Sequence, residues 1–497
     1  MFSAIFYIVS TAWLLFHAWS LKKSDEKMEP IRFAYLLIMF LMGEQAIFAF
    51  LFHLIHVSTG LVSIGVTNLL LGAVLYFAKR KLGKQEYKKP QVAELVGLFL
   101  VFAVALLMVN KIWGFSLRHM AFGSEDGVKV HFMLAEFLAE NGFYENIQYF
   151  EALNDSLWMN IFVKFHVYMA HDRAHMLTQI INLLLTGMGF YELVRMYQKG
   201  AFDVKKTRNI LAAIVTVFYM LGYPLYASMF GFAYFVQIVN ILVAILIVYN
   251  QMRDGETNKW FSYAMLNILL FGMFPCYSFF IPFLFPALFL AVWAEYKETT
   301  GNVFDLNLVK KEAQIFLLPC VFGLINSFSN MKELGDGGGI TNEGGCYFDL
   351  YSNFLRLMPF VVIGLVVLWK KRKSDILMTT FVWTLLLLGG LFVLNHMHKI
   401  SLYYISKVYN ILWLCCFLLV FLAFMELLEK MPVLVVGLVL MFVFSIAGHS
   451  SGIPEKIAAE NPPGYVTIYD NEHGIYPNIY WFNEAWVEIL HNQTHVQ

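Results

Sequence analysis

Apolar residues run through this chain in blocks of about twenty, separated by short polar stretches, from residue 2 to residue 448. A bilayer core takes about 20 apolar residues per helix. Runs of that kind occupy approximately 2–20, 32–55, 57–78, 92–112, 174–196, 209–228, 230–250, 260–276, 278–295, 312–326, 353–369, 376–394, 403–425 and 432–448. The pattern predicts an all-α polytopic membrane protein of about 14 transmembrane helices. Composition agrees: 59% of residues are hydrophobic and only 14% are charged, against roughly 25% charged in soluble domains. Mean hydropathy is +0.63.

Formal net charge is zero, so nothing global favours nucleic acid. The distribution of charge says more. Lys22, Lys23 and Lys27 fall between the first two runs, and Lys79 to Lys89 lie between the third and fourth. Lys199 to Arg208, Arg253 with Lys259, Lys297 with Lys310 and Lys311, Lys370 to Lys373, and Lys430 continue the series in alternate loops. Positive charge marks the cytoplasmic side of a spanning helix. Both termini are then expected outside. The 2–20 segment has no basic residue before it, which favours a retained first span over a cleaved signal peptide. Five cysteines, Cys276, Cys320, Cys346, Cys415 and Cys416, show no metal or redox spacing and predict no disulfide framework.

The chain divides into spans one to four (1–112), an outer loop (113–173), spans five to fourteen (174–448) and an outer tail (449–497). Within the first loop, 126–140 sets Val128, Phe132, Ala135 and Ala139 at near-helical spacing, with Asn141-Gly142 as a stop. This predicts an amphipathic helix along the outer interface. The stretch 327–352 contains GDGGGITNEGG and lacks the Gly-Lys-Ser/Thr ending of a phosphate loop. It reads as a connector or a mobile lid. The tail is rich in Pro, Tyr and Trp and predicts a small cap on the outer surface.

Chemistry concentrates in GSEDGVKVHFMLAEFLAENGFY, residues 123–144. Glu125 and Asp126 follow the outer end of a span and open the interfacial helix, where the helix dipole favours an ionised carboxylate. The series Asp126, His131, Ala135, Leu138 and Gly142 resembles the first outer loop of the GT-C superfamily, membrane glycosyltransferases that use polyprenyl-phosphate-linked sugars. The resemblance covers about twenty residues. It departs from the family in placing the loop after the fourth span instead of the first. It implies that Asp126, or failing it Glu125, is the catalytic carboxylate, and that His131 belongs to the substrate site. It also implies a polyprenyl-phosphate-linked sugar as donor and an extracytoplasmic glycan, lipid or protein as acceptor, at a bacterial plasma membrane.

Such a transfer needs cationic groups for the departing phosphate. Arg173, Arg356 and Lys399 are outer-facing cations at the ends of apolar runs and are the candidates. His171, Asp172, His175, His396 and His398 lie nearby in sequence as candidate substrate contacts, and Lys407 lies a few residues inside the following run. His171 and His175, four apart, could share a divalent metal, although the sequence requires no cofactor. The alternatives are a flippase or transporter of a lipid-linked saccharide, and a polysaccharide polymerase or ligase. A transporter would bury charges in mid-membrane, yet few spans contain any; Glu44 and Glu94, in or near span ends, are the clearest.

Overall fold

A computed structural model describes residues 1–19, 29–79, 91–113, 120–122, 127–142, 150–165, 171–201, 208–229, 231–257, 259–334, 350–431, 437, 465–470 and 474–480. Every apolar run from 2–20 to 403–425 carries a helix. The series begins α1 (Phe2–Trp19), α2 (Pro30–Leu54), α3 (Leu61–Lys79) and α4 (Val92–Trp113). A short strand β1 (Met120–Phe122), a π-helical turn (Gly127–Phe132), α5 (Met133–Asn141) and α6 (Phe150–Phe165) follow. Next come α7 (His171–Ala201), α8 (Arg208–Met220), α9 (Tyr223–Met229), α10 (Ala233–Arg253), α11 (Lys259–Tyr277) and α12 (Ile281–Thr300). The remaining helices are α13 (Leu306–Leu334), α14 (Leu350–Lys371), α15 (Ile376–His396) and α16 (Leu402–Lys430), before strands β2 (Tyr465–Asp470) and β3 (Gly474–Tyr480). Among the described residues, 7 helical stretches are long and apolar enough to cross a membrane. The chain is an integral multi-pass membrane protein, and its described regular elements are helices apart from one small sheet. The last expected span, 432–448, lies outside the described residues apart from residue 437.

The centre is formed by α10, buried at every residue from Ala233 to Met252, and by α16, buried throughout Val408–Met425. Around them stand α7, α8, α11 and α14. At the periphery α1, α3 and α4 turn Phe2, Val9, Phe16, Leu70, Val74, Phe77 and Phe99 outward. Apolar patches of this extent on a monomer mark contact with lipid.

Charged helix ends gather at one end of the bundle, here called the basic end. Buried ion pairs hold it together. Arg195 of α7 pairs with Glu94 of α4 and lies 2.6 Å from Glu192, and Arg32 of α2 lies 3.0 Å from Glu29 and 3.6 Å from Glu192. More charge is therefore buried than Glu44 and Glu94 suggested. It is mutually paired and lies near helix ends, Arg195 being six residues (about 9 Å) from the end of α7. A second knot joins α10, α14 and α15. Arg372 meets Asp254 at 2.9 Å and Asp375 at 3.0 Å, and Arg253 meets Asp375 at 3.3 Å. Burial opposes the charge on Arg372, but Asp375 and Asp254 hold its pKa above the ordinary arginine value.

Three expectations need correction. The apolar run 209–228 is two helices: α8 stops at Met220, and Gly222, whose neighbour is the Trp413 indole, makes the turn into α9. A side chain at 222 would collide with that ring. Helix α13 runs on to Leu334, past residue 327 where the glycine-rich pattern predicts a loop, and 335–349 lie outside the described residues. Helix α5 does end at Gly142, in the left-handed region at φ 70°, but it does not simply lie on the surface. Phe132, Ala135 and Leu138 sink into the main core, against α6, a helix the sequence reading did not separate.

The tail contributes to a three-stranded sheet of order β1-β2-β3. Met120 pairs with Tyr469, Ala121 with Ile468 and Phe122 with Thr467, all antiparallel.

Candidate functional site

At the end opposite the basic one, the chain leaves β1, passes Glu125 and Asp126, and enters the turn Gly127–Phe132. Both carboxylates lie outside the described residues. The turn itself is π-helical, one residue wider than an α-turn, and π-turns recur at functional sites because they re-aim side chains. Here it aims His131 and Phe132 in two directions.

The His131 ring lies 4.8 Å from the Tyr234 ring and 6.2 Å from Phe232, both at the start of α10. Tyr234 also meets Lys407 of α16, which is 7% exposed. Its Nζ donates to the Tyr234 hydroxyl at 3.5 Å. It also lies 4.2 Å from the Tyr403 centroid, 4.5 Å from Tyr404, 5.2 Å from Tyr277, 5.4 Å from Phe235 and 5.7 Å from Tyr234. An ammonium withdrawn from water is costly, and the negative faces of aromatic rings offset part of that cost. Tyr403 and Tyr404 precede Lys407 by four and three residues, so helical spacing alone puts them on its face. Tyr277 closes the box from the end of α11, where the 3₁₀ turn Ser278–Phe280 folds the chain back into α12.

Phe132 points the other way, 5.3 Å from the ring of His175 on α7. His175 is fully buried, with Nδ1 3.7 Å from Asp155 of α6. Gln179 donates to Asp155 at 3.0 Å, and Asn182 donates to its other oxygen at 3.4 Å. This polar layer pins α6 to α7 beneath the turn.

Nearer the surface, His171 Nδ1 lies 3.2 Å from Glu136 and 3.8 Å from Glu140. These three are the described residues whose ligand atoms converge closely enough to hold a cation. His171 and His175, which their spacing would allow to share a metal, are divided: His171 meets the α5 carboxylates and His175 meets Asp155. Glu140 also borders a polar cleft of about 440 Å³ between α3, α5 and α6, with Ser63, Asn141, Asn160 and Lys164 along its walls. Its size and hydrogen-bonding groups suit a hydroxyl-rich ligand.

The other sequence candidates are more scattered. Asp172 is buried at the start of α7, and Arg173 beside it is half-buried with its Nε lacking a partner. Arg356 is exposed on α14, and His396, His398 and Lys399 are exposed on the tight α15–α16 turn, where His398 takes φ 56°. No described contact joins Arg173, Arg356 and Lys399 to one another. The sequence reading missed Asp155, Gln179, Tyr234 and Tyr277, and their signal was weak because each partner lies on a different helix.

Fold and site together define a multi-pass helical membrane protein with a buried lysine box and a polar cleft at one end. No protein-family model matches the chain, and no curated protein matches it significantly.

Proposed function

We propose that this protein is a glycosyltransferase of the GT-C kind, with about fourteen spans, the last over 432–448. In this reading the basic end lies in the cytoplasm, while the lysine box, the cleft and both termini face outward. The observation that carries the reading is the His131–Tyr234–Lys407 series. The turn that directly follows the acidic pair leads within two ring contacts to a buried cation.

Transfer then proceeds by ordinary displacement. Asp126, or Glu125 beside it, takes the proton from an acceptor hydroxyl, and the resulting oxygen attacks the anomeric carbon of the sugar. The bond from that carbon to the carrier phosphate breaks, and the phosphate leaves with the electron pair. Lys407, 7% exposed at this end of the bundle, is the cation for the developing negative charge, in a low-dielectric wall where such charge is worth most. Arg173, Arg356 and Lys399 belong to the approach of the carrier headgroup. The cleft beside Glu140 receives the acceptor, an extracytoplasmic glycan, lipid or protein.

The test is sugar transfer by purified Asp126→Asn and Glu125→Gln proteins supplied with a polyprenyl-phosphate sugar. Loss of a general base lowers the rate by about 10² to 10⁴ with binding little changed. Full activity in both variants would remove the mechanism.

A transporter of lipid-linked saccharide is the second reading, favoured by the break between α8 and α9, since interrupted helices line substrate paths in transporters. Transfer of labelled lipid-linked sugar across proteoliposomes, without a new glycosidic bond, would select it.

A further inference from the structure

Helices α12 and α13 run antiparallel near the basic end and leave a lateral groove of about 870 Å³ between them. Phe285, Phe289, Trp293, Phe316 and Leu317 line it, and from Leu308 to Cys320 it extends about 18 Å along α13. Nearly all of this wall is apolar. The exception is Glu312, which is 8% exposed, and neither oxygen of its carboxylate has a hydrogen-bond partner. Its sequence neighbour Lys311 is committed elsewhere, 3.0 Å from Glu295, which also accepts from the Tyr249 hydroxyl. A buried carboxyl left without a donor is strongly disfavoured, so the groove lacks the group that would complete it.

We propose that the groove is a binding site for one phospholipid with a primary-ammonium headgroup, phosphatidylethanolamine. The occupant is a lipid because the walls are apolar and open sideways, with Leu317 and Phe289 exposed at the perimeter. The headgroup is a primary ammonium because it can donate to both orphaned oxygens of Glu312, which a trimethylammonium cannot. The mouth supplies the complementary charge. Lys297, one helical turn past Trp293 towards the α12–α13 turn, lies 5.4 Å over the Trp293 ring and is a cation within reach of a lipid phosphate. The site is preformed. The Trp293 indole donates to the Val303 carbonyl at 2.8 Å, and the Tyr296 hydroxyl donates to Asp305 at 2.6 Å, so the turn closing the groove is rigid.

Protein in bilayer discs of equal phosphatidylethanolamine, phosphatidylcholine and phosphatidylglycerol is extracted into detergent, and the retained lipid is counted by native mass spectrometry. The wild type retains phosphatidylethanolamine at least tenfold over phosphatidylcholine. Glu312→Gln, nearly isosteric, abolishes the preference. Leu317→Trp fills the groove from a position exposed on the perimeter and lowers retention of both lipids. Equal retention by the wild type, a preference for phosphatidylglycerol, or an unchanged preference in Glu312→Gln overturns the proposal. Should Glu312→Gln fail to fold, Leu317→Trp decides: a preference that survives the filled groove places the lipid elsewhere.

Discussion

The hydroxyl of Tyr197 donates to Oδ1 of Asp375 at 2.6 Å, joining the interior of α7 to the first turn of α15. The same oxygen caps that helix by accepting from the Leu377 amide at 2.9 Å, while Oδ2 takes Arg372 and Arg253. One buried carboxylate thus completes a cap and balances two guanidinium groups. Asp375→Ala should cost about 3–5 kcal/mol, because breaking a buried pair strands the opposite charge. Tyr197→Phe should cost about 1 kcal/mol, one hydrogen bond. Denaturant titration in detergent checks both, and equal losses would show that Asp375 acts only through Tyr197.

Gly364 on α14 faces the backbone of α16, and a methyl group there would overlap the Leu419 carbonyl. Backbone cannot move aside as a side-chain tip can. Gly364→Ala should destabilise by about 1–3 kcal/mol through overpacking. Gly389→Ala on α15 meets nothing within 4 Å and should stabilise by about 0.5–1 kcal/mol through helix propensity. The pair of melting temperatures should move in opposite directions, and a shared sign would refute the close approach.

Lys407→Met keeps the length of the side chain and removes its charge, so the ring box should survive. If the ammonium meets the carrier phosphate, loss of a charge-assisted contact worth about 1.5–3 kcal/mol lowers donor use by about tenfold or more. Unaltered kinetics with a polyprenyl-phosphate sugar would leave Lys407 a structural residue only.

Asp305 lies in the α12–α13 turn, outside the spans. The Tyr296 hydroxyl, then the amides of Leu308 and Asn307, hold its carboxyl below the ordinary aspartate range. A depressed folded-state pKa means a contribution fully present above the unfolded value and lost as pH falls through the folded one. Protection of the Leu308 amide from hydrogen exchange should therefore weaken at acid pH, after correction for the intrinsic exchange rate. In Asp305→Asn it should lose that dependence. A wild-type profile as flat as the variant's would exclude the cap as its source.

Local pattern and tertiary partnership account for what could be read from the chain. The apolar runs and the alternating lysines are local, so the order of helices and the shared basic end were legible. The stop at Gly142 was legible for the same reason: it needs only a left-handed residue after α5. The break at Gly222 was hidden because the run 209–228 is apolar on both sides of it, and its cause, Trp413, lies far along the chain. Glu192 and Arg195 fall inside the apolar run 174–196, and the pairing of Arg195 was hidden because Glu94 and Glu29 come from distant parts of the chain. Tyr403, Tyr404 and Lys407 could be grouped by spacing, but Tyr234 and Tyr277 complete the box only through the fold.

The pairing of β1 with β2 gives the molecule an order of assembly. Strand β2 emerges from the ribosome after every described helix, yet its partner Met120–Phe122 adjoins the acidic pair near the start of the chain. The helices can insert and pack as they are made, because their contacts are available as each span appears. Strand β1 must wait with unpaired backbone until Tyr465–Asp470 has been made. A chain halted before Tyr465 would therefore carry its bundle of helices with Met120–Phe122 still lacking its neighbour, which makes β2 a timer on when that sheet closes.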